Sequence, residues 1–160
     1  MDRIIFKSII AFSICLLTAA TWAATTDNHQ VTLTVSAINE VAISGGNLSL
    51  TINSTTAGSD PDDAVDNTTC DLNWTTNEAS KKITVATSLA SQNFTLKVLA
   101  QNVTGGTAAS EVTLSTTAAD IVTGISTTKG TCDLQYTGSA TAAQGTGTDT
   151  HTTVTYTLTA

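Results

Sequence analysis

The fold is decided by the stretch TCDLNWT at residues 69–75 and by its near copy, TCDLQYT at residues 131–137. Each stretch places a cysteine, a leucine and an aromatic residue at alternate positions, with polar residues between them. A period of two residues is typical of a β-strand that has one face in the core and one in water. We therefore predict two strands, neighbouring or facing, that carry the same inward face.

The same alternation continues along most of the chain. Glycine, serine, asparagine and aspartate cluster between the alternating segments, as in the turns of an all-β domain. The pattern predicts a single antiparallel two-sheet β-sandwich, Ig-like in layout, of about eight or nine strands over residues 24–160. Strands are predicted over residues 31–35, 48–52, 70–74, 83–85, 94–100, 112–114, 132–136 and 154–158.

The amino-terminal residues have the composition of a secretory signal peptide. Arg3 and Lys7 precede an apolar run at residues 9–17, and small residues follow as far as Ala23. This run is shorter than the roughly 20 residues that a bilayer span requires, so we predict cleavage of residues 1–23 and no membrane span in the mature chain. A retained anchor is the alternative. We expect secretion to the periplasm, the cell surface or the extracellular space.

The charge of the mature chain excludes two classes of partner. Its basic residues are four lysines and no arginine, against a dozen carboxylates. A surface of this sign repels phosphate backbones and anionic lipids. We therefore expect neither nucleic acid nor a membrane surface as a partner.

The chain after residue 23 contains two cysteines and two histidines, and they form no recognisable catalytic or metal-binding motif. Cys70 and Cys132 remain after signal removal, and in an exported chain such a pair predicts a disulfide. A metal site would need further ligands nearby, but His29 and His151 are isolated in the sequence. No nucleophile or base motif surrounds either histidine, so we predict no enzymatic activity and no cofactor other than the cation considered next.

Four carboxylates lie close together in the segment SDPDDAVDN at residues 59–67. Oxygen ligands on a flexible loop suit calcium, although the spacing is not that of an EF-hand. The alternative is a solvated acidic loop without a cation. The candidate calcium ligands are Asp60, Asp62, Asp63 and Asp66.

Three aromatic residues have two interpretations. Trp74, Tyr136 and Tyr156 follow the inward parity of their strands, which predicts packing in the core. If the rings pointed outward in a row, they would form a platform on which sugars stack. The direction of the rings distinguishes these interpretations.

Both ends of the mature chain resemble a known group of proteins. VTLTVSA at residues 31–37 and TVTYTLTA at residues 153–160 are similar to the edge strands of secreted bacterial pilin-type sandwiches, including the spore-coat-U-like and chaperone–usher groups. The chain departs from them at Thr159, where pilins commonly carry tyrosine, and in the wide separation of its cysteines. The resemblance implies that an amino-terminal segment can add a strand to another subunit, through Val31, Leu33, Val35 and Ile38.

Two functions follow as expectations. The first is a non-enzymatic structural or adhesive surface subunit whose partners are copies of itself or other surface proteins. The same amino-terminal strand pairing within its own domain is the alternative to exchange. The second is a secreted carbohydrate-binding module, assisted by calcium.

Overall fold

A computed structural model describes residues 25–160, and its strands form two antiparallel sheets, as predicted. All of them belong to one compact unit, Val35–Ala160, and residues 25–34 lie outside it. The predicted signal peptide lies outside the described residues. The strands are β1 (Asn39–Ser44), β2 (Ala64–Thr76), β3 (Lys81–Thr87), β4 (Thr95–Thr104), β5 (Thr107–Ala108), β6 (Val112–Thr113), β7 (Ala119–Ile125), β8 (Thr128–Ser139) and β9 (Val154–Thr159).

The two sheets differ in size and in the length of their strands. The first contains five strands in the order β1-β2-β8-β4-β6, and the second contains four in the order β5-β7-β3-β9. The central strands of the first sheet have 10 to 13 residues, whereas the longest strands of the second have 7. A single 3₁₀ turn, Ala142–Gln144, lies between β8 and β9. Within residues 25–160, no helix is long and apolar enough to cross a bilayer.

The core lies between the inner faces of the two sheets and follows the two-residue period. In β2 the burial alternates through Cys70, Leu72 and Trp74, while the residues between them are exposed. Leu72, Ile83, Val98 and Leu134 have no exposed surface. Each fully buried side chain of this size contributes roughly 1.5–3 kcal/mol relative to exposure. The alternation in the sequence thus gives the sandwich its interior.

The two near-identical stretches are neighbours, as predicted. They lie in β2 and β8, which pair antiparallel at the centre of the first sheet. Trp74 is opposite Gly130, and a side chain at Gly130 would collide with the Trp74 ring. The absence of a side chain at this position lets the indole lie flat over the strand, which fixes the register of the pair.

Several predicted strands are absent or have different bounds. Residues 31–35 and 48–52 form no strand, and β2 begins at Ala64, inside the segment predicted to be an acidic loop. Leu48, Leu50 and Ile52 still alternate in burial, but residues 48–52 belong to no ladder. A strand needs a hydrogen-bonded neighbour, and the local pattern does not supply one.

Three strands, β1, β5 and β7, were not predicted. β5 has only two residues. β1 was overlooked because Val41 and Ile43 are its only large apolar residues, and β7 because it buries adjacent residues, Ile121 and Val122, rather than alternate ones. The β3–β7 pairing shifts register near Val122, which is how two consecutive side chains both face inward.

Candidate functional site

The segment with the most exposed apolar surface is the amino-terminal arm, which we define as residues 25–38. It contains no strand. The exposed fractions are 77% for Val31, 88% for Leu33, 70% for Val35 and 43% for Ile38. Large apolar side chains are this exposed in a folded protein chiefly where something else covers them. The arm is therefore the first candidate for a functional segment.

Parity divides the four predicted exchange residues. In an extended chain, Val31, Leu33 and Val35 share one face because they are two residues apart. Ile38 has the opposite parity, so it lies on the other face. Of the four predicted residues, Val31, Leu33 and Val35 can therefore face one partner together, and the set stays a prediction.

The sandwich presents free edges of two kinds. Each sheet ends in one six-residue strand and one two-residue strand, so the long edges are β1 and β9 and the short ones are β5 and β6. Natural sandwiches often protect edges by making them short or by placing lysine or proline there. β9, VTYTLT, contains no charged residue and no proline, and β1, NEVAIS, has only Glu40. The long edges are thus the unprotected ones.

An open groove adjoins the β9 edge within the same unit. It has a volume of about 1380 Å³, and its lining includes Leu50, Phe94, Leu96, Tyr136 and Val154. Leu50 packs over Gly138 of β8, where an added side chain would contact it at 3.4 Å. Residues 48–52 therefore cover part of the inner face of the first sheet without pairing to a strand.

The predicted disulfide is not formed, and both cysteines are free and buried. Cys70 is opposite Leu134 and Cys132 is opposite Leu72, so the two thiols are diagonal neighbours on the β2–β8 ladder. Diagonal neighbours are roughly 7–8 Å apart, whereas the Cα atoms of a disulfide are usually about 4.4–6.8 Å apart. Burial raises the pKa of the Cys132 thiol to about 11 and also raises that of Cys70. Both side chains act as core residues in this register.

The predicted sugar platform does not exist, because its rings point inward. Trp74, Tyr136 and Tyr156 are 3%, 7% and 8% exposed. The hydroxyls of Tyr136, in the first sheet, and Tyr156, in the second, are 2.8 Å apart and form a buried hydrogen bond. Burial raises the pKa of both phenols. Tyr136 and Tyr156 thus join the two sheets, and the three rings form no exposed row on which a sugar could stack.

The acidic segment does not converge on a cation site. Asp60 accepts a hydrogen bond from the Ala142 backbone N–H, and Asp62 accepts one from the Ser54 hydroxyl. Asp66, already in β2, accepts hydrogen bonds from Thr68 and Thr69, and those from Thr69 lower the pKa of its carboxyl. In residues 25–160, no three histidine, cysteine or acidic side chains are grouped as metal ligands would be. The calcium set of Asp60, Asp62, Asp63 and Asp66 is thus not assembled.

The histidines occupy different environments. His29 is exposed in the arm, whereas His151 is half-buried with its Nδ1 atom 2.9 Å from the Thr87 hydroxyl. Burial lowers the pKa of His151, and the nearby Asp149 carboxylate opposes that shift. The prediction that the chain is not an enzyme stays a prediction.

Comparisons of the chain with protein-family models, with curated proteins and with solved structures gave no match. The resemblance to pilin-type subunits therefore rests on the residues at the two ends of the mature chain. Asn77, whose side chain holds the last residues of the arm, was missed at the sequence level because an asparagine after a strand only indicates a turn.

Proposed function

We propose that this chain is an exported, non-enzymatic structural or adhesive subunit that assembles by strand exchange. Residues 31–35 of one copy add a strand to a long free edge, β1 or β9, of another copy. The observation that carries the proposal is the exposure of Val31, Leu33 and Val35 on one face of an unpaired segment. The uncharged edge of β9 supports it, since an added strand forms main-chain hydrogen bonds there without displacing a charge.

Strand exchange is favourable only if the arm both buries its apolar side chains and forms main-chain hydrogen bonds with the partner edge. Burial of the three apolar side chains contributes roughly 1.5–3 kcal/mol each. Ordering the backbone costs about 1–2 kcal/mol per residue, which is of similar size over five residues. The main-chain hydrogen bonds of an added strand then decide the balance, and the apolar face decides the register.

Charge sets the conditions for assembly. The mature chain carries four lysines and a dozen carboxylates, so two copies repel each other at long range. Added salt screens that repulsion, with a Debye length of about 10 Å at 0.1 M. We expect assembly to become faster as the ionic strength rises.

No observation favours carbohydrate binding as a second function. That hypothesis required Trp74, Tyr136 or Tyr156 at the surface and calcium in the acidic segment. The three rings are buried. Asp60, Asp62 and Asp66 have separate hydrogen-bond partners, so the carboxylates do not converge on one cation.

The proposal is tested by deleting residues 24–37 from the mature chain. Size-exclusion chromatography with light scattering compares the full mature chain with the deletion variant, with and without mild denaturant. We expect the full chain to form oligomers that survive mild denaturant and the variant to fold and stay monomeric. A full chain that remains monomeric at high concentration and high salt would refute the proposal.

A further inference from the structure

The side chain of Asn77 holds the backbone at the point where the arm joins the sandwich. Its Oδ1 atom accepts a hydrogen bond from the Ile38 N–H at 2.7 Å, and its Nδ2 atom donates one to the Ser36 carbonyl at 2.7 Å. The Asn77 backbone N–H also donates to the Ile38 carbonyl at 3.2 Å. One residue thus makes three hydrogen bonds to the main chain of residues 36–38.

These contacts continue the β1–β2 ladder after its backbone part ends. The last paired residues are Asn39 and Thr76, and β2 then turns toward β3. A primary amide offers one carbonyl acceptor and N–H donors, the same groups as a peptide unit. The Asn77 side chain therefore acts as the next peptide unit of β2 would. It forms hydrogen bonds with the Ile38 N–H and the Ser36 carbonyl, which have no further β2 backbone opposite them.

The turn that carries Asn77 is itself held in position. The buried Thr76 hydroxyl donates to the Asn39 side chain at 2.7 Å, and the Asn39 amide donates to Glu78 at 2.7 Å. Glu78 also forms an ion pair with Lys81 at 2.9 Å. Because these contacts brace both sides of residue 77, its amide is aimed at residues 36–38 rather than free to rotate.

We propose that Asn77 is the positioning residue of the arm: it fixes the backbone of residues 36–38 immediately before β1, so that the arm pairs with a partner edge in one register. This inference rests on the proposed strand exchange. The register matters because a shift of one residue would turn the side chains of Val31, Leu33 and Val35 to the opposite face of the added strand. Because hydrogen bonds already order residues 36–38, the arm has fewer conformations to lose when it pairs, and the entropic cost of pairing is smaller.

A purely local role for Asn77 makes a different prediction. If the side chain only braces the turn, its loss lowers the stability of the monomer and leaves the assembly rate of folded protein unchanged. If it positions the arm, its loss slows assembly while the thermal midpoint changes little. The two readouts, thermal midpoint and assembly rate, separate these roles.

The experiment uses the full mature chain and the variants Asn77→Ala and Asn77→Asp. Asn77→Asp keeps an acceptor for the Ile38 N–H but replaces the donor to the Ser36 carbonyl with a second carboxylate oxygen. Asn73→Asp is the matched control, since Asn73 is an exposed residue of β2, four positions before Asn77, and the substitution adds the same charge. Light scattering follows assembly, and hydrogen exchange measured by NMR follows the Ile38 amide.

We expect Asn77→Ala to assemble about tenfold more slowly than the wild type, because it loses the two side-chain hydrogen bonds to Ser36 and Ile38. Its Ile38 amide should exchange faster, whereas Asn77→Asp should keep that amide protected and still assemble slowly. Asn73→Asp should match the wild type in both measurements.

Two contrary results have different meanings. If the wild type assembles and both Asn77 variants assemble at its rate, the positioning role is wrong and strand exchange stands. If the wild type never assembles, the proposed function fails and the positioning role fails with it. If Asn77→Ala does not fold, Asn77→Asp alone decides the first outcome.

Discussion

At the residue scale, the contact between Trp74 and Gly130 explains how β2 and β8 find their register. The two residues are opposite each other, and the indole occupies the space that a side chain at position 130 would fill. A shift of one or two residues in either direction would place the indole against a residue with a side chain. The pair therefore favours the observed alignment of the two longest strands over its near neighbours.

Gly130→Ala should destabilise the fold because its methyl group would collide with the Trp74 ring and the Thr104 carbonyl oxygen. Overpacking of this kind costs about 1–3 kcal/mol. Urea unfolding of the monomer measures the loss. Gly46→Ala is the control, since no atom lies within 4 Å of its added methyl group. Equal stabilities for the two variants would contradict the packing account.

The hydrogen bond between Tyr136 and Tyr156 links the sheets through two buried hydroxyls. Tyr156→Phe should cost about 1–3 kcal/mol, because the remaining Tyr136 hydroxyl is then buried without a partner. The double variant Tyr136→Phe/Tyr156→Phe should cost less than the sum of the single variants. A double-mutant cycle measures this coupling, and strict additivity would show that the hydroxyls do not interact.

At the element scale, the proposed exchange requires the arm to pair as a strand with two unequal faces. Leu33→Asp places a charge on the apolar face, and Thr34→Asp places the same charge on the polar face. The first change should weaken assembly about 10- to 100-fold, as the loss of one buried leucine implies. Leu33 is 88% exposed, so the thermal midpoint of the monomer should stay unchanged.

Sedimentation across a concentration series compares the two arm variants with the wild type. Thr34→Asp should assemble like the wild type. If both variants lose assembly equally, charge rather than the apolar face governs the interface, and the proposed pairing is wrong.

Elements with a strong local signal were predictable from the sequence, and elements that depend on distant partners were not. The two copies of the Cys-Leu-aromatic pattern gave the central pair β2 and β8. Residues 48–52 have the same alternation, yet they form no strand, since no neighbour pairs with them. β7 was missed because its buried Ile121 and Val122 are consecutive, a consequence of its irregular pairing with β3.

The candidate site was predicted in part for the same reason. The alternation of Val31, Leu33 and Val35 is visible in the sequence, so the arm could be identified. The position of Cys70 relative to Cys132 depends on ladder register, which spacing along the chain does not determine. The role of Asn77 depends on residues about 40 positions earlier, Ser36 and Ile38, and no local pattern connects them.

At the scale of the whole molecule, acid should reduce stability in two ranges of pH. Burial lowers the pKa of His151, so protonation favours the unfolded state. The contribution of this histidine is complete above its unfolded pKa of 6.5 and is lost as the pH falls through the lower folded value. The lowered pKa values of Asp66 and Glu78 act only in stronger acid, below their ordinary values of 3.8 and 4.5.

Thermal midpoints at about pH 7.5 and about pH 5.5 test the histidine contribution. The wild type should lose stability between these values, and His151→Asn should lose less. His29→Asn, a change in the exposed arm, should retain the full loss. An unchanged loss in His151→Asn would show that another group is responsible.

The molecule as a whole is a sandwich with short edge strands and long, unprotected ones, and it also carries an apolar segment that belongs to no sheet. These features define the central claim, which is that residues 31–35 become a strand only when a second copy supplies the edge. Hydrogen exchange of the residue 31–35 amides tests it most directly, in monomer at low concentration and in assembled protein. The account predicts fast exchange in the monomer and protection by a factor of about 100 or more in the assembly. Equally fast exchange in both states would contradict it.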